Sequence, residues 1–223
     1  NGLVGSEMCI RDSYWTAGET ALLVAAVFFP ILLMLLSAKE SIGYLAAIRK
    51  STARRLMTRK GFDAITELNF HKIAKNMEHS AIFCLEIDHH ETFIEMYGQR
   101  AVEDVARTAG ERLSSVLRAQ DALARTNAYG FSVCLEPTQH LDLELCIQLA
   151  SRLQAAVEEP LVLDGTTAYV TASVGFAQHS GAATPSAHSW REAAAIALRQ
   201  AQRYGAGSVR AFTEEMRKQS VIR

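Results

Sequence analysis

Nothing in the charge of this chain singles out a nucleic-acid partner. Lysine and arginine total 23 against 24 acids, a formal net charge of -1, and the basic domain or stripe that marks DNA or RNA binding is missing. The four cysteines, Cys9, Cys84, Cys134 and Cys146, form no CxxC pair and no ligand spacing. A zinc site and a disulfide framework are therefore not expected, and the thiols read as reduced side chains of a cytosolic domain. The chain shows no internal repeat and no low-complexity tract. With 49% hydrophobic and 21% charged residues it also lacks the composition of a disordered protein. Position 1 is not methionine, and residues 1–13, NGLVGSEMCIRDS, carry neither a helical nor a strand period. They resemble translated sequencing-adapter leaders, so they are set aside as an artefact and the true N-terminus is expected to be missing.

Charge is wholly absent from Thr20 to Ala38, TALLVAAVFFPILLMLLSA. As a helix this run is about 28 Å long, close to the hydrocarbon thickness of a bilayer. Pro30, which would break a soluble helix, is tolerated in a transmembrane one. A signal peptide would place basic residues before the apolar run and small residues at a cleavage site. Here the basic residues follow the run and no AxA is present, so residues 20–38 are read as one transmembrane helix.

Between Lys39 and Lys60 stand Lys39, Arg49, Lys50, Arg54, Arg55, Arg59 and Lys60 against the single acid Glu40. The positive-inside rule then places everything after Ala38 in the cytoplasm. Residues 39–60 are read as a basic juxtamembrane helical linker. In it Ile42, Leu45, Arg49, Thr52 and Leu56 follow a 3,4 spacing that would let two copies pair as a homodimer. The same basic face could instead touch anionic headgroups or simply be solvated.

From Phe62 onward helical and strand patterns alternate. Helices are expected at Glu67 to Met77, Glu91 to Met96, Ala101 to Leu117, Leu141 to Glu158 and Trp190 to Tyr204. Strands are expected at Ala81 to Ile87, Ala122 to Arg125, Phe131 to Leu135, Ala168 to Ala177 and Val209 to Phe212. The fold class this implies is α/β, with a central, mostly antiparallel sheet and flanking helices. Asn127 to Gly130 suit the turn of a hairpin.

The order and spacing of several short motifs over 62–212 resemble the GGDEF family, the diguanylate cyclases and their non-catalytic relatives. Asp63, Ile65, Thr66 and Leu68 stand at places of the family's D-x-L-T-G-L, with Glu67 for the glycine. Leu85 to Gln99 follow L-D-x-D-x-F-K-x-x-N-D-x-x-G-H, and Val170, Thr171, Ser173, Gly175 and Ala177 match V-T-x-S-x-G-x-A. The resemblance implies the nucleotidyl cyclase-like fold. It also implies a chemistry in which two domains each hold one GTP with carboxylate-bound Mg²⁺ and join them as cyclic di-GMP.

Carried over residue by residue, the resemblance implies metal ligation by Glu86, in place of the first aspartate, and by Asp88. Ile94 replaces the guanine-contacting asparagine, Glu103 the guanine-reading aspartate, and Gln202 the phosphate lysine. Where the family reads R-x-G-G-D-E-F this chain has Arg125, Thr126, Asn127, Ala128, Tyr129, Gly130 and Phe131. Both glycines and both consecutive carboxylates of the signature are gone. Each oriented group of this kind supplies about 10² to 10⁴ in rate, so cyclase activity is not expected. Arg118 and Asp121 match the family's inhibitory R-x-x-D, which implies a cyclic di-GMP site; a helix-end arginine followed by a turn aspartate explains the pair equally well.

Thr213 to Arg223 resemble the start of a linker to an EAL phosphodiesterase domain. His89 and His90 read as loop histidines, and Cys84 and Cys134 as packed thiols. The expectation is a membrane-anchored regulatory GGDEF-like domain, binding cyclic di-GMP or GTP, with Mg²⁺ only if nucleotide is bound. Two alternatives stand beside it. One is a working cyclase using Glu86, Asp88 and an acid from elsewhere such as Glu136, and the other is a dimerisation module without nucleotide.

Overall fold

Residue 59 opens the first helix in the computed structural model, which describes residues 56–163, 165–180 and 185–221. The leader, the run 20–38 and all of the linker before residue 56 lie outside the described residues. All described residues fall in the unit Arg54–Arg223. Among them no helix is long and apolar enough to cross a membrane.

Thr58 caps the first helix, α1 (Arg59–Asn76), by accepting the Gly61 N–H on its side chain, and Met77 ends it in the left-handed region at φ 55°. The helix thus starts well before the expected Glu67, because a capping threonine lies upstream of the apolar period. Leu56, expected at the end of the pairing seam, precedes the helix instead. It packs on the domain core beside Gly110, and the next residue, Met57, bridges to Ala124.

The remaining elements follow as β1 (His79–Ile87), α2 (His90–Tyr97), α3 (Gln99–Val116), β2 (Ala122–Arg125), β3 (Gly130–Cys134) and α4 (Leu143–Glu158). After these come β4 (Leu161–Leu163), β5 (Thr166–Ala168), β6 (Ala172–Ser180), α5 (Ala187–Tyr204), β7 (Val209–Ala211) and α6 (Glu214–Val221). Five strands form a mixed sheet in the order β2-β3-β1-β6-β7, antiparallel except for the β6–β7 pair. The expected strand from Ala168 to Ala177 is two: its first residue ends β5, which forms a separate hairpin with β4, residues 169–171 connect, and β6 takes it up from Ala172. Gly165, at φ +82°, makes the turn of that hairpin.

Strand alternation sends successive side chains to two cores. On one face Phe83, Leu85, Val133 and Val174 meet Leu113 of α3 and Leu153 of α4. On the other, Ile82, Ala122, Ala124 and Ala177 meet Phe62 and Ile73 of α1 and Trp190 of α5. Trp190 is fully buried and donates its indole N–H to the Ala177 carbonyl at 2.9 Å. The helix comes so close to β6 that a Cβ on Gly175 would fall on the backbone of Leu198 and Ala197. This packing fixes α5 beside β1, with one stripe of its side chains over the sheet.

Candidate functional site

The C-terminal end of β1 meets the tip of the β2–β3 hairpin, with Glu86 opposite Gly130 on one side and Ser173 on the other. The tip is held by its own polar groups. Thr126 N–H donates to the Gly130 carbonyl at 2.9 Å, and Tyr129 N–H donates to Asn127 Oδ1 at 2.9 Å, an asparagine-to-backbone turn of a familiar kind. Ile87 N–H donates to the Tyr129 carbonyl at 3.0 Å, which lays residue 129 against the end of β1.

Arg125 ties this tip to α3. Its Nη1 and Nη2 donate to the two carboxylate oxygens of Glu103 at 2.7 and 2.9 Å, its Nε to the Asn127 carbonyl at 2.9 Å, and Nη2 also to the Ala128 carbonyl at 2.6 Å. The hydrogen bonds from Arg125, and then its charge, hold the Glu103 carboxyl below the usual carboxylate range. Glu103 stands where the family resemblance implies guanine reading, and both of its oxygens are engaged by the protein itself. Ile94, at the other guanine position, is half-buried against the core.

His89 turns the chain out of β1 in the left-handed region, at φ 50°. The ring of His90, first residue of α2, lies on the ring of Tyr129, 3.5 Å between centroids and 16° from parallel. Tyr129 occupies the place of the signature's first carboxylate. Gly130 occupies the second, where an added Cβ would sit 2.8 Å from both Asn127 Oδ1 and Thr126 Oγ1.

The two carboxylates expected as metal ligands part company. Asp88 accepts the Ser173 hydroxyl on Oδ1 at 2.7 Å and the Gly207 N–H on Oδ2 at 2.8 Å, so both oxygens are spent on holding β1 to β6 and to the turn after α5. Glu86 instead faces a cleft and makes no ion pair among the described residues. Mg²⁺ asks for converging carboxylate oxygens in near-octahedral geometry. Among the described residues no group of three or more His, Cys, Asp or Glu side chains is placed to hold a metal. With an aromatic stack at residue 129 and the Asp88 carboxylate held by Ser173 and Gly207 away from Glu86's cleft, this donor set does not fit the ion.

Arg118 and Asp121 come together, though through backbone. Asp121, only 7% exposed, accepts the Arg118 N–H on Oδ2 at 2.7 Å and the Glu136 N–H on Oδ1 at 3.1 Å. The aspartate closes the turn between α3 and β2, and the Arg118 side chain is exposed. Glu136 pairs with Lys72 at 2.7 Å and follows the end of β3 remote from Gly130, so it does not join Glu86.

The cleft that Glu86 faces has a volume of about 820 Å³ and lies between α1, α5 and the sheet. Cys84 is half-buried, packed against the second core as expected and also lining the cleft, 3.6 Å from Ser132 Oγ, and burial pushes its thiol up to about 11. Cys134 is buried as expected. Three arginines, Arg59, Arg191 and Arg199, also line this space. Sequence reasoning missed them, since they lie on two helices far apart in the chain. It likewise missed the Arg125–Glu103 pair, for which a 22-residue separation gives no local signal.

A family model described as "Diguanylate cyclase, GGDEF domain" matches residues 52–208. The cyclic di-GMP phosphodiesterase NbdA of Pseudomonas aeruginosa is 28% identical over 136 residues, 61% of this chain and 17% of NbdA. The chain thus spans about a sixth of that relative's length. Among solved structures, a variant of TpbB (YfiN) from Pseudomonas aeruginosa comprising only the GGDEF domain superposes with a TM-score of 0.69 at 21% identity, covering 74% of this chain and 95% of that one. The GGDEF domain of DgcB from Caulobacter crescentus, solved in complex with c-di-GMP, gives 0.64 at 22% identity, covering 71% and 92%.

Proposed function

The chain belongs to the GGDEF family, and from that premise we propose that its domain regulates cyclic di-GMP signalling without making the nucleotide. The observation that carries this reading is the Tyr129–His90 stack at the signature, beside an Asp88 whose two oxygens accept from Ser173 and Gly207. Phosphoryl transfer in this family depends on positioning and on neutralising phosphate charge. An aromatic pair supplies neither a metal ligand nor a base for the attacking hydroxyl, and Gln202 supplies no cation.

In this reading the degenerate domain senses cyclic di-GMP or GTP. Arg118, exposed and carrying a fork of donors suited to phosphate and to the guanine edge, contacts the ligand, and Asp121 fixes the turn that presents it. The run Thr20 to Ala38 anchors the domain at the cytoplasmic membrane of a bacterium, and two copies pair. The output is an EAL phosphodiesterase domain beyond α6; the name of the relative NbdA, a cyclic di-GMP phosphodiesterase, supports that placement. Two measurements test the proposal. Cyclic di-GMP formation from GTP and Mg²⁺ above a protein-free control would sink the inactive assignment. Calorimetric titration with cyclic di-GMP should give saturable binding that Arg118→Ala abolishes, and its absence would sink the sensing role.

A further inference from the structure

We infer that His179 is a proton-operated latch between α1 and α5: neutral, it holds both helices beside the cleft that Glu86 faces, and protonated it releases α1 and opens that cleft. The inference goes beyond the regulatory reading above and stands on residues that reading does not use. His179 lies near the end of β6, paired with Ser80 of β1. Strand alternation turns its side chain, like that of Ala177, to the face of the sheet that α1 and α5 cover. There the imidazole is buried, stacked on Phe70 of α1 at 4.9 Å and set against Trp190 of α5 at 5.2 Å. One titratable ring therefore touches both helices.

Nothing in this contact compensates a positive charge. The Nε2 atom is buried with no hydrogen-bond partner among the described residues. Neutral imidazole carries one N–H and the imidazolium two, so protonation adds both a charge and a donor where no acceptor stands. The charged groups of the surrounding elements are engaged elsewhere. On α1, Glu67 pairs with His71 at 3.6 Å and Lys72 with Glu136 at 2.7 Å. On α5, His188, Arg191 and Glu192 line the cleft, and Arg191 lies 3.4 Å from Asp63. On β1, Ser80 gives its hydroxyl to the Leu135 carbonyl, and His79 alternates to the opposite face. Glu78, just before that strand, accepts from Asn76 and Gln139. Burial is thus the cause acting on His179, and it lowers the pKa below the ordinary 6.5. The faces of Phe70 and Trp190 attract a cation, but this recovers only part of the cost of stripping water from an ion.

The two helices differ in how firmly they are held. Trp190 donates its indole N–H to the Ala177 carbonyl, and the close approach at Gly175 seats α5 on β6. Between α1 and α5 the one polar link among the described residues is the partly exposed Asp63–Arg191 pair. Local opening of α1 is therefore the smallest rearrangement that brings water to the charged ring. Arg59, Phe62 and Asp63 of that helix line the cleft together with Cys84. Loosening α1 uncovers the thiol.

The test uses the whole chain in a mild detergent at pH 7.5 and 5.5. Alkylation of each thiol by iodoacetamide is followed on its own peptide by mass spectrometry and divided by the rate for N-acetylcysteine at the same pH. Both thiols are almost wholly protonated in this range, so the pH dependence of the thiolate cancels. For a histidine of ordinary pKa when open, the opening equilibrium rises up to about tenfold on this acidification, so the Cys84 ratio should rise at least about threefold. The ratios for Cys134 and Cys146, both buried, should stay unchanged. His179→Phe keeps a ring in the stack without the titration and should leave the Cys84 ratio flat; His179→Gln takes its place if that variant does not fold. A further readout needs no histidine variant. With Trp15→Phe leaving Trp190 as the single tryptophan, its emission should move to longer wavelength as pH falls below about 6.5. The proposal is overturned by a Cys84 ratio that does not rise, by a rise that persists without His179, or by Trp190 emission that does not move. Cys134 and Cys146 rising together with Cys84 would mark global unfolding and also overturn it.

Discussion

His90 and Tyr129 lie ring on ring, 3.5 Å between centroids, across the junction of β1, α2 and the hairpin tip. Aromatic pairs of this kind contribute about 0.5–1.5 kcal/mol beyond the area they bury. The place where the family resemblance implies a signature carboxylate is here a small aromatic joint that closes the hairpin onto the helix. Tyr129→Asp should therefore destabilise the domain by about 1–2 kcal/mol, read as a shift of the urea midpoint, without creating cyclase activity.

Restoring the second signature acid disturbs the turn rather than the backbone. A Cβ at residue 130 meets Asn127 Oδ1 and Thr126 Oγ1 at 2.8 Å, side-chain ends that must turn away at the expense of the Asn127–Tyr129 hydrogen bond, so Gly130→Glu alone is expected to cost about 1 kcal/mol. Adding Asn127→Gly removes one of the two obstacles and should recover part of the loss. Thermal unfolding of the single and double variants checks the order.

Glu86 and Asp88 should separate in a stability measurement. Asp88→Ala removes charge-assisted bonds to Ser173 and Gly207 and should cost about 2–4 kcal/mol. Glu86→Ala, with no ion pair described, should stay within about 0.5 kcal/mol. Equal losses would contradict the assignment of Asp88 to structure and Glu86 to the cleft.

Much of this was legible in the residues. The hairpin borders followed from Asn127 and Gly130, and the motifs placed Glu86 and Gly175 on the strands where they stand and Asp88 just past the end of β1. The start of α1 was misjudged because Thr58 caps a helix whose first turns carry little apolar period. The β4–β5 hairpin escaped because its strands are only Leu161–Leu163 and Thr166–Ala168. The Tyr129–His90 stack and the saturation of Asp88 by Gly207 join residues far apart in the chain. No local pattern announces such contacts, yet they decide what the site can hold.

His179 gives the fold a pH dependence with a definite sign. It is 3% exposed, stacked on Phe70 at 4.9 Å and set against Trp190 at 5.2 Å, and burial lowers its pKa below the ordinary 6.5. The unfolded chain then binds more protons than the folded one below about 6.5. The contribution of neutral His179 is fully present above that pH and is lost as pH falls toward the depressed folded value. Urea midpoints at pH 7.5 and 5.5 should fall more steeply for the natural chain than for His179→Phe.

Gly175 is the tightest point between α5 and β6. Gly175→Ala pushes a methyl onto the backbone of Leu198 and Ala197 and should cost about 3 kcal/mol, lowering the melting temperature by about 6–12 °C for a domain of this size.

The central claim is that the signature position does no phosphoryl chemistry. Its most direct test is mass-spectrometric detection of cyclic di-GMP after prolonged incubation of the whole chain with GTP and Mg²⁺. The expected result is no product above the protein-free control. Product that accumulates with protein concentration and disappears in Glu86→Ala would contradict it.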